Sequence, residues 1–365
     1  MGLKIHRIAV GMISFALISH GAATWAATDR PNTAATSMKL VKTIYGSITP
    51  KSVASSGDGV VSAQNMMYRH SVTLYDATSL DLKATISDTV TLSELGFPDI
   101  IGTSKGAPVE GDFSKDGKFL YVTNYSMYGV SFTAEGHDDC KANNKYDRSF
   151  VYKIDRSNNQ VVGAFKVGVV PKVVKVSPDN KYLLVTNWCS YDLTVIPLAN
   201  PTKTRTIKIG AYPRGIVITK DSKIAYIAQM GGSVIHKISL VNFLHSTISI
   251  GLNPRAIVLS PDEETIYATL NLSGRVVALN LKSKKVVHSI ITGKATRSLD
   301  ISTDGSALFV VNFDSDTISK IRTKDFAVVQ SMKVCDQPIG VTFEPTQERT
   351  WVACYLGSIK VFDNK

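Results

Sequence analysis

A two-residue turn motif recurs along the chain, each time directly before an apolar strand. The copies are Asp58-Gly59, Asp116-Gly117, Asp179-Asn180, Asp221-Ser222, Asp262-Glu263 and Asp304-Gly305, with Thr346-Gln347 at the same place in the last copy. From Asp116 onward the steps are 63, 42, 41, 42 and 42 residues, and the step before them is 58. Periods of about 40–45 residues with several short strands are typical of propeller blades. Seven anchors predict seven blades.

Each copy contains the same order of strand-like segments. A strand begins at a proline, as in PRGIVIT (213–219), and a tight turn leads to an apolar strand, as in KFLYVTN (118–124). Alternating segments such as SVTLYD (71–76) and HSTISIG (245–251) follow. The chain ends after the third strand of copy seven, and MKLVKTIYGS (38–47) has the pattern of the missing fourth. We expect an all-β, seven-bladed propeller of four-stranded blades, closed by pairing of this N-terminal strand with the last blade.

The segments KFLYVTN and KYLLVTN (181–187), with the Pro-x-Gly strand starts, resemble the YVTN-repeat β-propellers, the YncE-like exported proteins. The resemblance covers about residues 38–365. It implies an exported propeller, and nucleic-acid binding as one possible function. The wider seven-bladed group includes lactonases, lyases and cofactor-carrying oxidoreductase subunits, so the resemblance selects no activity.

The N-terminus has the composition of an export signal. Lys4 and Arg7 precede an apolar stretch from Ile8 to Ile18, which is short for a membrane span. An uncleaved anchor is the alternative to cleavage. We expect a periplasmic or secreted monomer with no transmembrane segment after cleavage. Its predicted parts are a signal peptide, a short linker and the propeller, at residues 1–26, 27–37 and 38–365.

The composition is basic, with a formal net charge of +11. Such an excess favours anionic partners, such as nucleic acid, phospholipid headgroups or acidic glycans. A basic surface without a specific partner is the alternative.

The residue after the proline position of each first strand is basic in five of the seven copies. These residues are Lys51, Lys172, Arg214, Arg255 and Arg297. Because unpaired cations cannot be buried between blades, we expect them to line the upper mouth of the central channel as a positive funnel, with Glu110 as a counter-charge. An anionic ligand is the functional interpretation: nucleic acid, single strands included, an anionic glycan or a phosphorylated metabolite. Pairing with local acids to hold the blades in register is the alternative.

Two insertions, at about 88–107 and 125–148, are predicted on the same top face, where long loops commonly hold binding residues. Four side chains from this face complete the predicted site, and their aromatic rings could stack on bases or sugars or contact a protein partner. They are Tyr128, His137, Trp188 and Tyr191. Asn124, Asn187 and Asn312, which end their strands nearby, are expected to cap loop backbone.

Four cysteines in an exported chain suggest two disulfides. Adjacency in the predicted fold favours Cys140–Cys189 and Cys335–Cys354. The GHDDC segment (136–140) lacks the spacing of a metal site, so we expect neither a metal nor a cofactor.

Catalytic motifs are few. The sequence has no Gly-x-Ser-x-Gly elbow, glycine-rich phosphate loop or haem-attachment motif. The sequence therefore favours a binding protein over an enzyme. A lactonase-like hydrolase or lyase that uses His70, His137 and Glu110 is one alternative, and a protein–protein scaffold is another.

Overall fold

The computed structural model describes residues 1–2, 32–140 and 145–365. The predicted signal peptide, apart from Met1 and Gly2, lies outside the described residues. Contacts divide the chain into two units, Met1–Pro31 and Asn32–Lys365, and the description below concerns the second unit.

The first three blades follow one another along the chain. Blade one contains β2 (Pro50–Ser55), β3 (Val60–Asn65), β4 (Ser71–Asp76) and β5 (Leu82–Ser87). Blade two contains β6 (Thr89–Val90), β7 (Ser104–Phe113), β8 (Phe119–Tyr128), β9 (Phe150–Asp155) and β10 (Gln160–Lys166). Blade three contains β11 (Pro171–Val176), β12 (Tyr182–Asn187), β13 (Asp192–Pro197) and β14 (Arg205–Lys208).

The remaining blades have four strands each. Blade four contains β15 (Pro213–Ile218), β16 (Ile224–Gln229), β17 (Val234–Ser239) and β18 (His245–Ser249). Blade five contains β19 (Pro254–Leu259), β20 (Thr265–Leu270), β21 (Arg275–Asn280) and β22 (Lys285–Ile291). Blade six contains β23 (Thr296–Ile301), β24 (Ala307–Asn312), β25 (Thr317–Arg322) and β26 (Ala327–Lys333). Blade seven contains β27 (Pro338–Glu344), β28 (Arg349–Cys354), β29 (Ser358–Asp363) and, on its outer edge, β1 (Lys39–Ile44).

The pairing of β1 with β29 confirms the predicted ring closure. The two strands run antiparallel, with Lys39 opposite Asp363 and Ile44 opposite Ile359. The strand from the start of the propeller thus supplies the fourth strand of the last blade, as the repeat count requires. It covers the edge that β29 would otherwise expose.

Short 3₁₀ segments connect some of the strands. They span Thr33–Ala35, Leu92–Leu95, Pro201–Lys203 and Phe313–Ser315. The first packs on blade six, where the Thr33 amide donates to Asp304 Oδ2 at 2.9 Å. No helix of the described residues is long and apolar enough to cross a membrane.

The core lies between neighbouring sheets. Every residue of β24 is buried, whereas six of the seven residues of β22, an outer strand, are exposed. Between blades seven and one, Trp351 is completely buried and its ring lies 6.1 Å from that of Tyr75. Apolar second strands therefore bury both faces, and amphipathic fourth strands form the outer wall.

Both predicted disulfides are present. Cys140 is bonded to Cys189, and Cys335 to Cys354, so residues of the blade-two insertion are fastened to blade three.

A β-bulge interrupts the start of all seven innermost strands. In blade four, Pro213 pairs with Gln229 and Ile216 with Ile227, so the first strand carries one residue more than its partner. The same shift occurs after the proline position in the other blades. A bulge bends its strand and redirects the side chain of the inserted residue. That residue lies in the segment that contains the predicted cations.

Candidate functional site

The five residues predicted to form the site lie at the bulges and act on one another electrostatically. We call them the hub cations: Lys51, Lys172, Arg214, Arg255 and Arg297. Lys172, Arg214 and Arg255 are only 2%, 7% and 8% exposed. Burial first, and then the positive charges of the other four, lower the pKa of Lys51 well below its ordinary value. This mutual repulsion shows that the hub cations share one region of the molecule.

A cavity of about 550 Å³ reaches this region along the propeller axis. Residues from the first strands of all seven blades line it, and Arg214, Arg255, Arg297 and Glu110 are among them. At its other end the lining includes turn residues that join first to second strands, such as Lys115 and Thr303. The three hub arginines are therefore reachable from the face opposite the insertions, whereas Lys51 and Lys172 are not among the residues that line this cavity.

Two carboxylates compensate two of the hub cations. Glu110 lies 3.8 Å from Arg214, and Asp138, from the blade-two insertion, lies 2.5 Å from Lys172. Burial lowers the pKa of Lys172 to about 7, against the opposing effect of Asp138. Burial would raise the pKa of Asp138, but the charge and hydrogen bond of Lys172 hold it at about 2. Among the described residues, no carboxylate pairs with the other three hub cations.

Aromatic rings from the ends of second strands lie against the hub cations, at the position just after the YVTN-like motif. The pairs are Lys172 with Tyr125 at 4.3 Å, Lys172 with Trp188 at 5.4 Å, Arg214 with Trp188 at 5.8 Å, Arg297 with Phe313 at 3.4 Å and Lys51 with Tyr355 at 5.6 Å. Cation–π attraction offsets part of the desolvation of these charges. The sequence prediction included Trp188 but did not assign Tyr355 to the site.

The threonine of the YVTN-like motif positions the next blade's cation. Thr123 Oγ1 donates to the carbonyl of Lys172 at 2.7 Å, and Thr186 Oγ1 to that of Arg214 at 2.9 Å. Thr269 makes the equivalent bond to Arg297. These threonines are fully buried, so the motif links neighbouring blades at the bulge.

The asparagine of the same motif is structural. Asn187 Oδ1 accepts from the Gly168 amide at 3.0 Å, and its Nδ2 donates to Asp192 at 2.8 Å. Asn124 donates to the carbonyl of Phe150. The predicted capping of loop backbone is therefore observed at Asn187, and Asn312 likewise donates to the loop carbonyl of Thr292. The partner of Asn124, Phe150, is instead the first residue of β9.

The structure brings only part of the predicted aromatic rim to the hub. Trp188 stacks on Tyr212, with 4.6 Å between ring centroids, and the ring of Tyr191 meets Tyr212 edge-on at 5.7 Å. Tyr128 instead donates to Glu135 at 2.6 Å, and the exposed His137 lies 5.8 Å from the ring of Tyr146. Both of these contacts are within the blade-two insertion, but the ring of Tyr128 also lies 5.6 Å from that of His70, which follows β3 of blade one.

A second charged set in the channel was absent from the sequence prediction. Lys175 Nζ lies 2.9 Å from Asp112, and Asp300 accepts hydrogen bonds from the Phe343 amide and the Thr342 hydroxyl. Burial raises the pKa of Asp300. All of these except Phe343 lie four residues after the proline position, which is the signal that could have found them. Unlike the hub cations, this set contains its own counter-charges.

The histidines of the enzyme alternative have separate surroundings. His70 Nδ1 lies 3.4 Å from Asp88, and His137 and Glu110 have the different partners given above. No group of three histidine, cysteine or carboxylate side chains in the described part of the chain could hold a metal ion.

Comparison with known proteins supports the fold and leaves the activity open. No protein-family model matches the chain. Antigen Lp49 of Leptospira interrogans is 32% identical over 148 residues, which are 38% of this chain and 32% of that protein, so the chain matches about a third of the length of this relative. The solved structure of Kuenenia stuttgartiensis hydrazine synthase has a TM-score of 0.67 and 17% identity, over 88% of this chain and 97% of that chain. At this identity the likeness shows a shared propeller fold alone.

Proposed function

We propose that this protein is a non-catalytic binding propeller that holds an anionic ligand at the hub cations. One observation carries the proposal: among the described residues, no carboxylate forms an ion pair with Lys51, Arg255 or Arg297, and acids such as Glu110 and Asp314 act on the two arginines only from a longer distance. A charge withdrawn from water without a counter-charge costs several kcal/mol, on the order estimated for unpaired buried ions. An anion bound between them would supply the missing charge.

The burial of the hub cations favours a small ligand. A cavity of about 550 Å³ is within the usual size of small-molecule sites. Arg214 and Arg255 are less than a tenth exposed, so a nucleic-acid backbone or a long glycan would reach them only at a chain end. Of the three anionic classes, a phosphorylated metabolite fits best.

Two disulfides are compatible with an extracellular or secreted protein. We propose export by a cleaved signal at residues 1–26, to the periplasm or the exterior, for a member of the YVTN-repeat group. The matched relative bears the name of an antigen, which supports exposure outside the cytoplasm. Mass measurement of the mature N-terminus would test the cleavage.

Calorimetry with pyrophosphate tests the binding proposal. The wild-type protein should bind it, with an affinity that falls as ionic strength rises. Arg255→Gln should weaken binding at least about tenfold, equivalent to about 1.4 kcal/mol. The same variant should be more stable than wild type without ligand, because an uncompensated charge has been removed.

Lys285→Gln, on the exposed β22, is the matched control and should change neither quantity. Equal pyrophosphate affinity in wild type and Arg255→Gln would contradict the proposal. A single-stranded oligonucleotide that binds more tightly than pyrophosphate, and loses affinity in Arg255→Gln, would instead favour nucleic acid as the ligand.

A protein partner on the top face is a second candidate function, favoured by exposed apolar side chains on the loops there. These are Tyr68, Ile101, Val130, Leu252, Leu272 and Leu356, each 66% exposed or more. A partner held by them should remain bound at high salt and be lost in the double variant Leu252→Ser and Leu272→Ser.

A further inference from the structure

Lys51 differs from the other hub cations in its neighbours around the ring. The equivalent positions on the adjacent blades two and seven are Val109 and Ile339, which are 0% and 4% exposed. Its Nζ lies 5.6 Å from the centre of the Tyr355 ring. In blade order Lys51 therefore lies between two apolar positions, whereas Arg214 and Arg255 each lie between two cations.

Among the described residues, no acid forms an ion pair with the Lys51 amine, although the charges of Asp138 and Lys51 attract each other at longer range. The two carboxylates of the site pair with other residues, Glu110 with Arg214 and Asp138 with Lys172. Among the described residues, no hydrogen-bond acceptor contacts Nζ of Lys51. The side chain is nevertheless half-buried rather than enclosed, in contrast to Lys172 at 2% exposure.

Positive charge faces Lys51 from the remaining blades. Burial, and after it the charges of Arg214, Arg255, Lys172 and Arg297 in that order, lower the pKa of its ammonium group. A partly desolvated lysine next to other cations has the environment that makes an amine nucleophilic at neutral pH. The three hub arginines, which line the cavity, can hold an anionic group close to that amine.

We propose that Lys51 is a nucleophile that captures a small aldehyde or ketone bearing a carboxylate or phosphate group as an imine. The proposal rests on the anion-binding function proposed above, because the arginines would orient the anionic end. The ligand class is an anionic carbonyl compound, such as a 2-oxo acid or a sugar phosphate.

The reaction needs no oxidant or reductant. The lone pair of the neutral amine attacks the carbonyl carbon, and the C=O π electrons move to the oxygen. A proton passes from nitrogen to that oxygen through water, which gives a carbinolamine. Loss of water then forms the C=N bond, so that one amine and one carbonyl compound become one imine and one water molecule.

Pyridoxal 5′-phosphate, which carries an aldehyde and a phosphate, is a suitable probe. The protein would be treated at neutral pH, reduced with borohydride and mapped by peptide mass spectrometry. We expect Lys51 to be modified at least about tenfold faster than the exposed Lys118 and Lys181, as a lowered pKa and a bound phosphate together require. Pyrophosphate should slow the modification of Lys51 and leave the other two unchanged.

Lys51→Met is the control, with the thermal transition as a check on folding. It should remove the fast modification. Modification of Lys51 no faster than that of Lys118 would overturn the proposal, and so would fast modification that pyrophosphate does not slow. Calorimetry on the same sample separates the two proposals: pyrophosphate binding without selective modification overturns the imine alone, and absence of both overturns the anion site as well.

Discussion

At the scale of single residues, the hub shows electrostatics that oppose stability. Two of the five cations form ion pairs with carboxylates. Of the other three, Lys51 and Arg297 contact aromatic rings, and Arg255 lines the channel. Lysines on the surface would be better hydrated and would not lower the free energy of unfolding. A cluster of this kind is expected at a functional site rather than in a structural network, because structural networks pair their charges.

The lowered pKa of Lys172 predicts an unusual pH dependence. Its pKa is about 7 in the folded protein and near 10.5 when unfolded, so the unfolded state binds more protons between these values. The free energy of unfolding should therefore rise as pH increases from 7 to 9, by on the order of 2 kcal/mol for one linked proton. Denaturant unfolding in a buffer without phosphate would measure it.

Two variants test whether Lys172 causes this rise in the free energy of unfolding with pH. Lys172→Met should reduce the rise, while the exposed Lys181→Met should leave it intact. Stability that is flat or falls over this range in wild type would show that Lys172 titrates normally.

At the scale of elements, one strand closes the ring. β1 supplies the outer strand of blade seven, and Ile44 and the preceding Met38 are 8% and 2% exposed. Without β1, the β29 edge would be open to pairing with another chain. The bulge after each proline position is the other decisive element, because it redirects the hub side chains.

A truncation tests the role of β1. A chain that begins at Ser47 should be less stable than one that begins at Asn32 by on the order of 3–5 kcal/mol, from lost apolar burial. It should also self-associate through β29. Urea unfolding and light scattering on the two chains provide the measurement. Equal stability and a monodisperse shorter chain would mean that the ring does not depend on this strand.

At the scale of the whole molecule, the apolar clusters join neighbouring blades. One cluster contains Val61 of blade one and Trp351 of blade seven, and another contains Leu184 of blade three and Ile227 of blade four. Because each blade shares its core with the next and the ring is closed, the blades should unfold together.

Two tryptophans can report on distant blades. In a chain that begins at Asn32, Trp188 lies in blade three and Trp351 in blade seven, and no other tryptophan remains. The variants Trp188→Phe and Trp351→Phe should each show a single fluorescence transition that coincides with the loss of β-structure measured by circular dichroism in the same variant. A fluorescence midpoint that departs from the circular dichroism midpoint would reveal independent unfolding of part of the ring.

The repeat in the sequence determined the fold because propeller geometry is local. Each blade has its own turn (at Asp116 or Asp304, for example), its own proline before a strand and its own apolar second strand. Counting these signals predicts the number of blades and the closure of the ring. The pairing of the cysteines followed from adjacency within that ring. The hub cations are also recognisable in the sequence, since the same repeat position is basic five times, and their role in binding stays a prediction.

Only the tertiary structure decided how these charges are compensated and from which side they are reached. Asp138 meets Lys172 across 34 residues of chain because an insertion folds back over the neighbouring blade. The aromatic contacts of Tyr355 and Phe313 depend on how blades face one another at the axis. These two rings occupy one repeat position, and only their distances to the cations depend on the packing of the blades. The Asp138 contact starts from an insertion that the other blades lack, so no periodic pattern in the sequence encodes it.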